Sequence, residues 1–326
     1  MKSLLPQIKL TCLLALAAAQ PILVHASTWK MLSPATSPAA RSYAAMAYDP
    51  VSKKVVLFGG MGASANLNDT WTFDGTTWTQ LITAGTPPVR NGATMAFDRP
   101  TRKLVMFGGF DTNKYLQDTW VFDGATSAWT QVQMPSPPPK ATGAMLFMDP
   151  VSGSAMMFGG YNSHRPVPVF SNTWLWTGTS WQKLNPSTIP YPRAWGVATL
   201  DPLGHNVVLT GGNGDTIRTD NTWTWDGTNW AMLAPATQVS AFIGPGSAFD
   251  PGVQAVVVFG GIAETWSWSG TDWVQMLPMN SPSAREGVGM ASDPTTHQTL
   301  IFGGLIANGG LTNETWRLVG RSPLGR

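Results

Sequence analysis

The feature that most constrains this chain is a repeat of about fifty residues running through nearly all of its 326 positions. Apolar runs end in paired glycines at Gly59-Gly60, Gly108-Gly109, Gly159-Gly160, Gly211-Gly212, Gly260-Gly261 and Gly303-Gly304, spaced by 49, 51, 52, 49 and 43 residues. A Thr-Trp follows each pair, at Trp71, Trp120, Trp174, Trp223, Trp266 and Trp316, with a Gly four residues later. A second Trp comes soon after at Trp78, Trp129, Trp181, Trp230 and Trp273. Ahead of each pair stands an Asp close to a Pro, at Asp49, Asp98, Asp149, Asp201, Asp250 and Asp293. Eight residues before four of these lies an Arg: Arg41, Arg90, Arg193 and Arg285. A period of this length, with short runs between turn residues, specifies an array of identical supersecondary units.

Each unit reads as four short strands. Strand A runs from the Arg to the Asp, strand B is the apolar run closed by Gly-Gly, strand C carries Thr-Trp, and strand D carries the second Trp. Asp-Pro after A and Gly after C are turn chemistry, because Asp accepts hydrogen bonds from the backbone just ahead of it and Gly tolerates left-handed backbone. Runs such as Val55-Val56-Leu57-Phe58 and Val256-Val257-Val258-Phe259 show no polar alternation, as strands covered on both faces require. Strand A is made of small residues, as in Ala44-Ala45-Met46-Ala47, which suits crowding around an axis.

This order of marks resembles the kelch repeat, with its Arg-started strand, its strand ending in Gly-Gly and its two spaced aromatic positions. The resemblance covers nearly all of residues 27–326. It implies an all-β chain, a six-bladed kelch β-propeller of the kelch and galactose-oxidase superfamily, with repeats over about 41–81, 90–132, 140–184, 193–233, 242–276 and 285–320. The sixth unit stops at Gly320 without a second Trp, whereas Trp29-Lys30-Met31-Leu32 matches strand D as seen in Trp78-Thr79-Gln80-Leu81. The N-terminal strand is therefore expected to complete the last blade, leaving no open edge between first and last blades.

Residues 1–26 carry a different signal. Lys2 and Lys9 precede an apolar stretch over 10–19, then Pro21 and the small-residue site Val24-His25-Ala26. This pattern predicts a secretory signal peptide cleaved after Ala26, and hence a secreted or periplasmic protein. The two lysines and the only cysteine, Cys12, leave with it, so the 20 basic residues fall to 18, matching the 18 acidic ones. A neutral chain offers no electrostatic case for nucleic acid or anionic lipid. No later apolar run approaches the roughly 18 residues that insertion in a membrane needs. A monomer is expected, without disulfides or thiol chemistry. Of the 16 Trp, six belong to strand C and six to strand D counting Trp29, three are second aromatics at Trp176, Trp225 and Trp268, and Trp195 stands alone.

Function is sought in residues left after the repeat is subtracted. The loops after Gly-Gly and the starts of strand A share one face, around the mouth of the central channel. There the second blade has Asp111, Lys114 and Tyr115; the third has the longest loop, 161–172, with Tyr161, His164, Arg165 and Phe170; the fourth has Asp215, Arg218 and Asp220. The fifth has only Ile262 and Ala263 before Glu264, which predicts a wall over blades two to four and a notch at blade five. Trp195, two residues after Arg193, is a stacking platform for a sugar ring or a plug of the channel. Arg41, Arg90, Lys140, Arg193 and Arg285 form either a partial ring able to clamp an anion or a scaffold set bonding to backbone and to the acids before Thr-Trp.

Catalytic motifs are scarce. Galactose oxidase holds copper with two Tyr and two His and cross-links one Tyr to Cys, and a chain without Cys cannot do so. His205 and His297 lie on A-to-B turns, across the propeller from His164, so no shared metal site is expected, and no cofactor. The periplasmic sialic-acid epimerases are a second enzymatic kelch family. That likeness implies an acid/base pair with an anion clamp, for which Glu286 with Arg285 and Arg193 are the candidates. The leading expectation is an exported scaffold binding a protein or glycan at the channel mouth, and the alternative is a carbohydrate-active enzyme. Deleting residues 27–33 should sharply lower the melting temperature, and an unchanged melt would exclude closure by the N-terminal strand.

Overall fold

The computed structural model describes residues 27–165, 168–214, 219–239 and 243–320. They form one two-stranded sheet and six four-stranded antiparallel sheets, five of these six built in sequence order from strand A to strand D. In the first blade these are Ala45–Asp49, Lys54–Met61, Asn66–Phe73 and Trp78–Leu81. The other inner strands are Thr94–Asp98, Met145–Met148, Val197–Asp201, Gly246–Asp250 and Gly289–Asp293. Each inner strand touches the inner strand of both neighbouring blades, and the last touches the first, so the six blades close a circle.

The last blade is completed as expected. Thr28–Leu32 is its outermost strand, antiparallel to Thr315–Val319, with Trp29 opposite Leu318 and Met31 opposite Trp316. The circle is thus fastened by hydrogen bonds between the two ends of the chain.

Packing occurs between blades. Each of the six buried clusters draws on two adjacent blades; one, for example, joins Ala45, Val56 and Phe58 of the first blade to Met95, Met106 and Trp129 of the second. The strand D indoles are the largest pieces of these layers, and Trp29 and Trp78 are fully buried. Burying such a side chain is worth on the order of 3 kcal/mol, provided its N–H finds a partner. In every blade that partner is the Thr of the preceding blade's Thr-Trp. The indole N–H groups of Trp29, Trp78, Trp129, Trp181, Trp230 and Trp273 donate to the Oγ1 atoms of Thr265, Thr315, Thr70, Thr119, Thr173 and Thr222, at 2.8–3.0 Å. The Thr of the motif therefore reads the Trp of its neighbour.

Gly-Gly has an equally physical cause. The second Gly donates its N–H to a carbonyl at the start of the next blade, as in Gly60 to Arg90 at 2.9 Å and Gly160 to Arg193 at 3.0 Å. A Cβ on the first Gly would meet the same carbonyl oxygen, at 2.8 Å for Gly59 and 2.3 Å for Gly159.

At the axis the blades are joined by a closed cycle of backbone hydrogen bonds. Gly92 donates to Tyr43, Gly143 to Gly92, Trp195 to Gly143, Gly244 to Trp195, Gly287 to Gly244 and Tyr43 to Gly287, all at 2.7–2.9 Å. All six residues hold left-handed backbone, with φ between 54° and 64°. Four are glycines, which adopt it freely; Tyr43 and Trp195 adopt it under strain. Each aromatic lies over the glycine of the blade before it. A Cβ on Gly143 would sit 2.6 Å from the Trp195 Nε1, and one on Gly287 would sit 2.8 Å from the Tyr43 ring. Gly143→Ala should therefore cost about 1–3 kcal/mol from backbone strain alone, with more from displacing Trp195. In a double-mutant cycle read by denaturant midpoints, Trp195→Gly should recover the steric part; strictly additive losses would refute this coupling.

Candidate ligand-binding site at the channel mouth

The cycle forms the floor of a cavity of about 330 Å³ on the face that carries the loops after Gly-Gly. Its aromatic lining is Tyr43, Phe110, Tyr115, Tyr161 and Trp195; the rest is Met61, Asn91, Thr142, Asn213 and Ile243. Beneath the cycle the channel continues as spaces of about 90 Å³ and 180 Å³ walled by small residues and methionines, among them Ala44, Ala93, Met46, Met95 and Met290. A larger groove of about 600 Å³ lies at the outer edge of the last blade, walled by the N-terminal strand and its partner. The mouth is the better site, because there side chains from different blades converge on one apolar space with a few polar groups.

Three repeat offsets build the mouth. Asn91, Thr142 and Ile243 occupy the first position after the Arg place; Tyr43 and Trp195 occupy the second; and Met61, Phe110, Tyr161 and Asn213 directly follow Gly-Gly. Backbone bridges pair the first of these offsets with the third, as in Asn91 with Phe110 and Thr142 with Tyr161. The scaffold therefore aims these positions at the axis whatever residue stands there. Only Tyr115 comes from a loop excursion.

The aromatic residues form a continuous arc over blades two to four. Ring centroids are 5.0 Å apart for Phe110 and Tyr115, 6.0 Å for Tyr115 and Tyr161, and 5.0 Å for Tyr161 and Trp195. His164 packs edge-on against Tyr115 at 5.3 Å, and the Tyr115 hydroxyl lies 3.0 Å from the Ser163 hydroxyl. In blade five the connection from strand B to strand C is a turn over 261–263. Among the residues expected from sequence, Tyr115, Tyr161, His164 and Trp195 are thus brought together. Asp215 and Arg218 lie outside the described residues. Asp111 accepts the backbone N–H groups of Asn113 and Lys114 and pairs with the Lys114 ammonium at 3.7 Å, closing its own loop. Arg165 and Asp220 are exposed.

The arginines do not converge on the mouth. Arg41, Arg90, Arg193 and Arg285 are fully buried inside their blades, at most 2% exposed. Arg90 grips Asp118 through two bonds of 2.8 Å and donates to the carbonyls of Pro88 and Gly108. Arg41 holds Asp69, Arg285 holds Glu314, and Arg193 holds the amide oxygen of Asn221. The same acceptors also take the indole N–H two residues on, as in Asp69 with Trp71 and Asn221 with Trp223. Burial works to raise the carboxyls of Asp69, Asp118 and Glu314, yet the guanidinium and indole donors hold all three below the usual carboxylate range. Burial pulls Arg193 down to about 10, against the opposing pull of Asp220. The third blade corrects the expected grouping of Lys140 with the arginines. Ala141, 3% exposed, holds the arginine place, and Lys140 sits one residue earlier in solvent.

Glu286 starts the last blade, paired through its backbone with Leu305. Burial, and after it the nearby charge of Glu286, push the Tyr43 phenol up. Neither Arg285 nor Arg193 turns toward this pair. Among the described residues no three His, Asp or Glu converge as a metal site would require, and no helix is long and apolar enough to cross a membrane.

Sequence reasoning missed Tyr43, Met61, Asn91, Phe110, Thr142, Asn213 and Ile243. The available signal was disagreement among blades at fixed offsets: Ser42, Asn91, Thr142, Ala194 and Glu286 share one position, and Met61, Phe110, Tyr161, Asn213 and Leu305 share another. A family model described as the KLHDC2/KLHL20/DRC7 Kelch-repeats domain matches residues 21–176, ending within the third blade. Comparison with curated proteins found no match.

Proposed function

The chain is a kelch-repeat β-propeller protein, and from that premise we propose that it is an exported binding scaffold whose ligand surface is the aromatic mouth of the channel. The observation that carries this reading is the contrast between two kinds of side chain on that face. The four arginines that start strand A are committed to the scaffold, each to its own blade. Large aromatics with no partner role in the repeat are gathered around a cavity instead. Trp195 and Tyr43 are held there on strained backbone where other blades have Gly, a cost the fold itself does not need. Strain of this kind, observed at a concave site, points to selection for binding. Aromatic faces of this kind can hold a glycan or a segment of another protein. Catalysis by Glu286 with Arg285 and Arg193 is not carried forward, because both guanidinium groups are turned into their blades.

The test exploits the axial cycle. Gly already occupies the Trp195 position in four blades, so Trp195→Gly removes the indole without straining the backbone. Glycan and peptide arrays probed with wild type should yield a ligand whose binding falls at least about tenfold in Trp195→Gly, equivalent to about 1.4 kcal/mol, while the melting temperature is held or raised. Ligands that bind both proteins equally would refute a binding site at the mouth. Export rests on the Lys-flanked apolar stretch ending at Ala26. Intact mass of the protein recovered outside the cytoplasm should correspond to a chain beginning at Ser27; retention of residues 1–26 would refute it.

A further inference from the structure

We propose that the mouth is an aromatic cage for a methylated ammonium group, an inference that rests on the mouth being the ligand surface. Three observations narrow the chemistry. First, the rings enclose rather than line. Phe110, Tyr115, Tyr161 and Trp195 are successively inclined by 52°, 75° and 42°, so they curve around the cavity. Tyr43 stands across from Trp195, because its blade is opposite that of Trp195 in a cycle of six.

Second, the electrostatics favour a cation. Among the described residues no charged side chain lines the cavity, and the Tyr43 ring lies over Gly287, the residue after Glu286. An anion would find no guanidinium, whereas a cation finds ring faces that carry negative potential, an interaction strengthened by loss of water.

Third, three of the six polar side chains lining the cavity are already engaged. Asn91 donates its amide N–H to the Asn66 side chain at 2.8 Å, Thr142 donates to the Gly92 carbonyl at 3.2 Å, and Tyr115 shares a bond with Ser163. A sugar needs hydrogen bonds for its many hydroxyls, and a primary ammonium needs acceptors for three N–H groups. A trimethylammonium group needs neither: its charge is spread over methyls that pack on aromatic rings. The cavity of about 330 Å³ admits such a group with part of its chain.

Titration calorimetry of the full chain with choline and with its neutral isostere 3,3-dimethylbutan-1-ol tests the idea. Choline should bind at least about tenfold more tightly than the isostere, and Trp195→Gly should abolish that preference. Tyr115→Leu, which lies outside the axial cycle, should weaken choline binding in the same direction and serves if the first variant is poorly folded. Sedimentation with phosphatidylcholine but not phosphatidylglycerol vesicles would support the proposal with a lipid headgroup as the source; binding of free choline without vesicle binding would support it with a small solute as the source. Equal affinity for choline and the isostere, or no affinity for choline, would overturn the cage. A sugar or peptide that binds wild type, fails to bind Trp195→Gly and is not displaced by choline would overturn the cage while leaving the mouth as a binding surface. No ligand sensitive to Trp195→Gly would overturn both.

Discussion

The interactions that hold this molecule in one piece pass from one blade to the next. The hydrogen-bond cycle at the axis, the Gly-Gly contact with the following blade's carbonyl and the indole bond to the preceding blade's Thr form three concentric shells of such links. The buried clusters lie in the same gaps. A single blade has two apolar faces and no means of covering either, so no blade is stable until its neighbours are present. Closing the circle is then the condition on which each layer depends, and pairing of Thr28–Leu32 with Thr315–Val319 supplies the last link.

The axial cycle also explains why the site is where it is. Six inner strands crowd together, and their backbones bond at a single level, which fixes φ in the left-handed region at all six positions. Glycine meets that condition in four blades. In the other two the side chain lies over the glycine of the preceding blade, where a Cβ would have stood in its way. Tyr43 and Trp195 are thereby placed on the floor of the mouth by the same bonds that hold the propeller together. The walls follow from the next positions outward, which the scaffold aims at the axis and leaves free to vary.

Much of the fold was legible because it is periodic. Residues that recur at one offset must share one environment, so Thr-Trp, Gly-Gly and Asp-Pro could be read as strand, turn and core without knowing any contact. The fate of the arginines was only half legible: recurrence suggested a scaffold role, but a side chain at the start of strand A can point to the mouth or into the blade. Its direction is decided by an acceptor 28 residues away in sequence, as in Arg41 with Asp69. The third blade misled because Lys140 is basic and stands beside the place of the arginines, yet register assigns that place to Ala141. The mouth was legible where loops differ in length and hidden where blades differ by substitution alone.

From the sequence by itself came the six units, their strand order, the return of the N-terminal strand and the sorting of tryptophans into core positions. Those depend on patterns within a few residues and on their repetition. The axial cycle, the arc from Phe110 to Trp195 and the inward turn of the guanidinium groups were decided only by tertiary structure. Each guanidinium is turned inward by an acceptor 28 or 29 residues on in its own blade. The cycle and the arc join residues of different blades and arise from the angle at which one twisted sheet meets the next. Nothing local in the chain records that angle, whereas the closed circle leaves it no freedom.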